Sequence, residues 1–181
     1  MAAVAPRRSK KELTEDLIRE FRVSGNQDDA FDSLAAERLG VSETDLRCLN
    51  IIENSGGLTA GDLAAQSGLT GGDITGVIDR LERAGYARRV PDPADRRRVR
   101  VEVTPAFYKR AERIWGPMAA DWQSTLSTRF TIEELERITD FLRTTNQVGR
   151  RHLNRLREAG DQLRRDGLAR DRGAGGPEGV P

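Results

Sequence analysis

Between residues 58 and 86 the chain reads LTAGDLAAQSGLTGGDITGVIDRLERAGY. Ile74, Val77, Ile78 and Leu81 recur there at i, i+3, i+4 and i+7, a single apolar stripe at helical period. Ahead of it, Leu63 and Ala64 make the apolar face of a shorter helix, Gly68 permits a tight turn and Leu69 plugs the corner. Thr70 is placed to cap the longer helix, with Asp73 three residues on. Two helices joined by so short a glycine turn read as a helix-turn-helix. With the stripe buried, the opposite face carries Gly71, Gly72, Thr75, Gly76, Asp79 and Arg80. Its N-terminal end is small, so backbone amides and the positive helix end can approach a phosphate. Thr75 can reach a phosphate or a thymine methyl. An ordinary helix hairpin with a solvated face fits the same pattern, so the motif alone leaves both readings open.

The next stretch separates them. Residues 88–104 read RRVPDPADRRRVRVEVT, placing Arg88, Arg89, Arg96, Arg97, Arg98 and Arg100 beside only two acids before the closing strand, Asp92 and Asp95. The whole chain carries a formal net charge of just +1. Val99, Val101 and Val103 alternate at strand period, and Pro91 and Pro93 stiffen the connection, which predicts a hairpin. A basic hairpin directly behind a helix-turn-helix is a winged arrangement, whose tip lies along the DNA backbone and inserts an arginine into the minor groove. Arg96, Arg97 and Arg98 form that tip. Asp95 is expected to pair with a neighbouring arginine and orient it, since a surface ion pair contributes only ~0–1 kcal/mol to stability. Arginines that merely guard a strand edge against aggregation would explain scattered charges, but poorly explain three in a row beside an aspartate and two prolines.

The flanks are helical. Leu13, Leu17, Ile18 and Phe21 keep helix spacing, and so do Phe31, Leu34, Ala35 and Leu39 before Gly40, with Gly25 and Asn26 as an expected interruption. Ser42 caps a helix carrying Leu46, Leu49, Ile51 and Ile52, with Asp45 completing a near capping box. Behind the hairpin a helix is predicted from about Pro105 to Leu126, bent at Gly116-Pro117. Another starts at Thr131, with Glu134 as capping partner. The fold class is therefore mainly α with a small β-hairpin wing. The expected division is a flexible N-terminus (1–10), N-terminal helices (11–41), a winged helix-turn-helix lobe (42–104), C-terminal helices (105–160) and a frayed or disordered tail (161–181). The arginines of 150–157 and 164–172 alternate with acids later in the run and read as a solvated helix face.

Several chemistries are excluded at this level. One cysteine (Cys48) and one histidine (His152) leave no disulfide, no multi-cysteine zinc site and no metal cluster, and no cofactor is expected. Cys48, inside LRCLNII, reads as a buried structural thiol. No phosphate loop or paired-carboxylate site is visible, so no catalytic residue and no enzyme are expected. No apolar run approaches the ~20 residues that cross a bilayer, and no signal-peptide core follows the first charges. A soluble, cytoplasmic protein with no membrane partner is expected.

Residues 42–105 resemble the DNA-binding lobe of MarR-type (multiple antibiotic resistance regulator) transcription factors, through SETDLRCLNII, LTAGDLAAQSGLT, DITGVIDRLERAGYARR and DPADRRRVRVEVT. The flanking helices fit the same plan, so the resemblance spans roughly residues 10–160. It implies that the helix holding Thr75 and Arg80 is the recognition helix. It also implies that Arg97, following Asp95 and beside Arg96, is the wing-tip arginine, and that Arg88 sits at the wing base. Gly71, Gly72 and Gly76 stand where many relatives carry polar or basic side chains, which shifts readout toward DNA shape and the wing. A homodimer built from the first helix and the last two is implied as well. The apolar content of the last two, including Trp115, Trp122 and Phe141, exceeds what one small lobe needs. A C2 dimer matches a palindromic operator with half-sites ~10 bp apart. The resemblance further implies a small aromatic effector in a cleft near Phe21, Phe31, Trp115 and Trp122, for which plain core packing is the alternative. The expected function is a dimeric, sequence-specific repressor on double-stranded DNA. Its competitors are an architectural DNA-binding protein with little sequence preference and a winged-helix module that binds an acidic protein.

Overall fold

The computed structural model describes residues 8–93 and 95–173; the expectations for residues 1–7 and 174–181 fall outside the described residues. Helix α1 (Lys10–Leu39) opens with a capping box between Ser9 and Glu12 and closes at Gly40, whose φ of 71° is the left-handed stop of a helix end. It is one uninterrupted helix, so the break expected at Gly25 and Asn26 is corrected. A mid-helix glycine costs only about 1 kcal/mol relative to alanine, too little to stop a helix that is capped at both ends.

Helix α2 (Glu43–Asn54) starts from the Ser42–Asp45 capping box. A short strand, β1 (Leu58–Thr59), leads into α3 (Ala60–Ser67) and α4 (Gly71–Arg83). The wing follows as β2 (Ala87–Pro91) and β3 (Val99–Val103). The sequence predicts only these two strands, yet the sheet has three, all antiparallel, in the order β1-β3-β2. Leu58 pairs with Val101 on one side of β3, and Arg89 pairs with Val101 on the other. That makes β3 the central strand and moves the edges to β1 and β2.

The lobe is held by one apolar cluster. Leu49, Ile52, Leu63 and Leu81 have no solvent exposure, and Ile74, Val77, Ile78, Val101 and Phe107 are as deeply buried. The predicted stripe of α4 thus faces inward as a whole. Of the three alternating valines, Val101 is buried and Val103 half-buried, but Val99 is 53% exposed, because the ribbon leaves the core toward its tip. Tyr86 closes the base of the wing by donating its hydroxyl to the Leu39 carbonyl at 3.0 Å while its ring meets Phe107 edge-on at 6.0 Å.

Helix α5 (Pro105–Arg129) is continuous across Gly116-Pro117, where the sequence predicts a bend, and the chain divides into two compact units after Pro117. The second unit contains the rest of α5 and α6 (Ile132–Gly173), which opens with reciprocal Thr131–Glu134 capping bonds. The expected frayed segment from residue 161 is helical as far as Gly173. Among the described residues, no helix is long and apolar enough to cross a membrane, and no group of His, Cys, Asp and Glu could hold a metal ion.

Candidate nucleic-acid interface

The helix-turn-helix is set by local chemistry. Thr59 caps α3 by accepting from the Asp62 amide at 3.2 Å, and Gly68, at φ 76°, turns the chain in the left-handed region that favours glycine. Thr70 then caps α4 and closes a capping box with Asp73. Gly71, Gly72 and Thr75 are exposed and Gly76 is half-buried, so the predicted small face does meet solvent. The Thr75 hydroxyl donates to the Gly71 carbonyl at 3.1 Å. Its oxygen can still accept, but it must leave that bond before it donates to a phosphate.

Arg80 is not a free cation on this face. Its Nε and Nη2 grip both oxygens of Asp45 on α2, with Nη2 at 2.7 Å from Oδ1. Asp45 is only 3% exposed. Burial pushes its carboxyl up, but hydrogen bonds from Arg80 and from Ser42 outweigh that and hold it below the ordinary value of 3.8. The sequence offers Asp45 only as a helix cap. The partner it also takes lies 35 residues away, and no spacing rule connects the two.

The wing separates its arginines into two sets. At the base, Arg88 lies 3.5 Å from Glu102, its register partner on β3. Arg89 bonds Asp79 at 2.7 Å and also Glu82, fastening β2 to α4. Arg100 donates from Nη2 to the carbonyls of Gly56 and Gly57 at 2.6 and 2.7 Å. Gly57 sits at φ 95°, and a Cβ there would lie 2.7 Å from Arg100 Nη2 and 2.8 Å from Glu102 Cγ. Only glycine fits this approach.

At the tip, Arg96, Arg97 and Arg98 are exposed, and among the described residues none has a carboxylate at ion-pair distance. The loop is shaped by its own backbone: the Asp92 amide donates to the Arg98 carbonyl, and the Arg98 amide to the Asp95 carbonyl, both at 2.9 Å. The Asp95 carboxylate accepts from the Arg97 amide at 3.0 Å. The expected side-chain pair between Asp95 and an arginine is therefore corrected. A short aspartate side chain reaches the amide two residues on without ordering a long side chain, and it leaves the guanidinium groups free. The field of Arg98 also extends to α3. Asp62 is lowered first by the Thr59 hydroxyl bond and further by the positive charge of Arg98.

The four aromatics expected around a cleft are divided between the two units. Phe31 and Trp115 pack on each other with centroids 6.1 Å apart, against the core of the first unit. Phe21 is 51% exposed on α1, and Trp122 belongs to the second unit, where it is 59% exposed. A cavity of about 440 Å³ opens between α1 and α2, and its lining is mixed, with Asp29, Asp32, Glu43, Arg47 and Asn50 beside Leu46. Cys48 is fully buried, and burial pushes its thiol up, so it stays protonated.

Comparison with known proteins gives a consistent result. The family model described as the MarR family matches residues 41–99. YcgE of Bacillus subtilis strain 168, an uncharacterized HTH-type transcriptional regulator, is 35% identical over 155 residues, covering 86% of this chain and 100% of that protein. YfiV of the same strain, described in the same words, is 34% identical over 67 residues, 37% of this chain and 42% of that protein. Among solved structures, a mutant MepR from a multidrug-resistant S. aureus clinical isolate superposes with a TM-score of 0.59 at 21% identity, over 73% of this chain and 96% of that one. The Bacillus subtilis YusO protein gives 0.51 at 21% identity, over 77% and 99%. At such identities the two structures speak for the fold.

Proposed function

This chain belongs to the MarR family of transcriptional regulators, and on that premise we propose that it binds double-stranded DNA sequence-specifically, as a homodimer that represses from a palindromic site. The observation that carries this is the state of the wing tip. Arg96, Arg97 and Arg98 are exposed, unpaired among the described residues, and held on a loop that Asp95 shapes through the backbone. Unpaired guanidinium groups on a narrow ribbon suit the minor groove and its phosphates. The small face of α4, with Gly71, Gly72, Thr75 and Gly76, brings the helix N-terminus to the backbone of the adjacent major groove. Arg80 adds an oriented donor to that face. Arg88, paired with Glu102, contributes at the wing base less than the tip does.

The homodimer is supported by apolar faces that each unit leaves in solvent. On α1, Leu13, Leu17 and Phe21 recur every four residues and are about half exposed. On α6, Phe141, Leu142 and Val148 are also exposed. Helices with such faces meet a partner, and two copies related by a two-fold axis would address half-sites about one helical turn, ~10 bp, apart. A small aromatic effector is a separate reading, for which the partly buried Phe31–Trp115 pair offers an aromatic surface. The test is selection of binding duplexes from a random DNA library, followed by affinity measurements at several salt concentrations and sedimentation of the free protein. A repressor of this kind enriches an inverted repeat, binds it at least roughly a thousandfold more tightly than random duplex, and sediments as a dimer. Equal affinity for every duplex would make it architectural, and no DNA affinity at moderate salt would make the wing a protein-binding surface.

A further inference from the structure

We propose that Asp45, a buried residue of α2, is a positioning residue for DNA recognition, acting through Arg80. This rests on the reading that α4 faces DNA. A guanidinium has five N–H donors in a planar fork. Asp45 takes the Nε edge, with Nε at 3.1 and 3.2 Å from its two oxygens and Nη2 at 2.7 Å from one of them. Both Nη1 donors and the second Nη2 donor remain. The Arg80 side chain is 46% exposed, and Nη1 lies one helical turn back toward the N-terminus of α4, 3.4 Å from where a Cβ on Gly76 would stand. The free edge of the fork is thus held over the same small face that carries Thr75. Gly76 leaves it room.

Such an arrangement has a consequence that a simple structural ion pair lacks. An arginine whose charge is offset by a buried carboxylate adds little net positive charge to the DNA-facing side, but it adds donors in a fixed direction. Fixed donors raise discrimination between DNA sequences, whereas net charge raises affinity for any DNA and steepens its salt dependence. Asp45 therefore restrains non-specific attraction at the recognition helix while the unpaired wing tip supplies it. Asp45 is suited to this by its own setting. Its backbone amide donates to the Ser42 hydroxyl at 3.1 Å and its carboxylate accepts from the Ser42 amide at 3.4 Å, which restrains it at the start of α2 against following the arginine outward.

The experiment uses the full chain, a duplex enriched by selection with the wild-type protein, and a random duplex of equal length. Affinities are measured by fluorescence anisotropy at several salt concentrations, with melting curves for each variant. Asp45→Asn is expected to lower the selected-to-random affinity ratio about tenfold and to bind random duplex at least as well as wild type at low salt. Arg80→Gln is expected to lower the ratio similarly, and Asp45→Asn should have no further effect when added to it. Should Asp45→Asn melt below the assay temperature, Arg80→Lys serves instead. It keeps the charge but loses the planar fork, and the same loss of ratio is expected. A purely structural Asp45 would lower the melting temperature and leave the ratio of the folded protein unchanged, which overturns the proposal while leaving α4 at the DNA. Persistence of the Asp45→Asn effect in the Arg80→Gln background overturns it too. Wild-type binding by Arg80→Gln overturns both the proposal and the placing of Arg80 at DNA.

Discussion

The base and the tip of the wing hold three arginines each, and the two sets differ in what surrounds them. At the base, Arg88 faces Glu102, Arg89 faces Asp79 and Glu82, and Arg100 faces two carbonyls of the Gly56-Gly57 turn. At the tip, Asp95 bonds the backbone rather than a guanidinium. Identical side chains within one short ribbon thus become braces at one end and free cations at the other. The partner decides the role, because a paired arginine gives up part of its attraction for phosphate and an unpaired one does not. The same contrast lets a chain of net charge +1 set three neighbouring cations, without an ion pair among the described residues, at the end of one ribbon.

Removing the tip should have the largest effect. Replacing Arg96, Arg97 and Arg98 together by alanine should weaken DNA binding by roughly a hundredfold or more at low salt and reduce the salt slope by about one for each phosphate the tip no longer neutralises. The melting temperature should stay within about 2 °C, since surface substitutions that hold nothing in the fold change stability by only a few tenths of a kcal/mol. The base should answer in stability instead. Gly57→Ala forces a Cβ against Arg100, Glu102 and the Val101 carbonyl at a positive φ, which should destabilise the lobe by about 2 kcal/mol in chemical denaturation. Arg89→Ala should cost about 1 kcal/mol, as it opens a two-acid link between β2 and α4 on a partly exposed surface. Its salt slope on DNA should be unchanged. An Arg89 variant that lost slope as a tip variant does would erase the distinction between the two ends.

The smallest effect concerns acid. Asp45 titrates below its ordinary value in the folded state, so the unfolded chain binds its proton first as pH falls. The stability it contributes is therefore complete above about pH 4 and is lost as pH falls through the lowered folded value. In acid unfolding, Asp45→Asn should lose stability relative to wild type at neutral pH and show a smaller difference at the lowest pH. A difference that stayed constant would assign the effect to packing rather than to the carboxylate.

How much of this the sequence discloses follows from distance along the chain. The capping boxes at Ser42, Thr70 and Thr131, the inward stripe of α4 and the hairpin are all written within a few residues, and each is read directly from spacing. The strand β1 is two residues long, too short to show alternation, and exists only because β3 offers it an edge. The partners of Arg80, Arg89 and Arg100 lie 35, 7 to 10 and 43 to 44 residues away, joined by tertiary packing that no local pattern encodes. Asp95 errs the other way: its charge predicts an ion pair, but a two-residue reach to an amide is shorter and easier to hold. The continuous α1 shows the same balance, since a glycine signal that often ends helices is outweighed by caps at both ends.

The central claim is that tip arginines meet DNA and base arginines hold the wing. It is tested most directly by measuring DNA affinity against salt, together with melting, for Arg97→Ala and Arg89→Ala side by side. The predicted result is that Arg97→Ala lowers the salt slope by about one with an unchanged melting temperature, and that Arg89→Ala lowers the melting temperature with an unchanged slope. An Arg97 variant that melts earlier while keeping the full salt slope would contradict it.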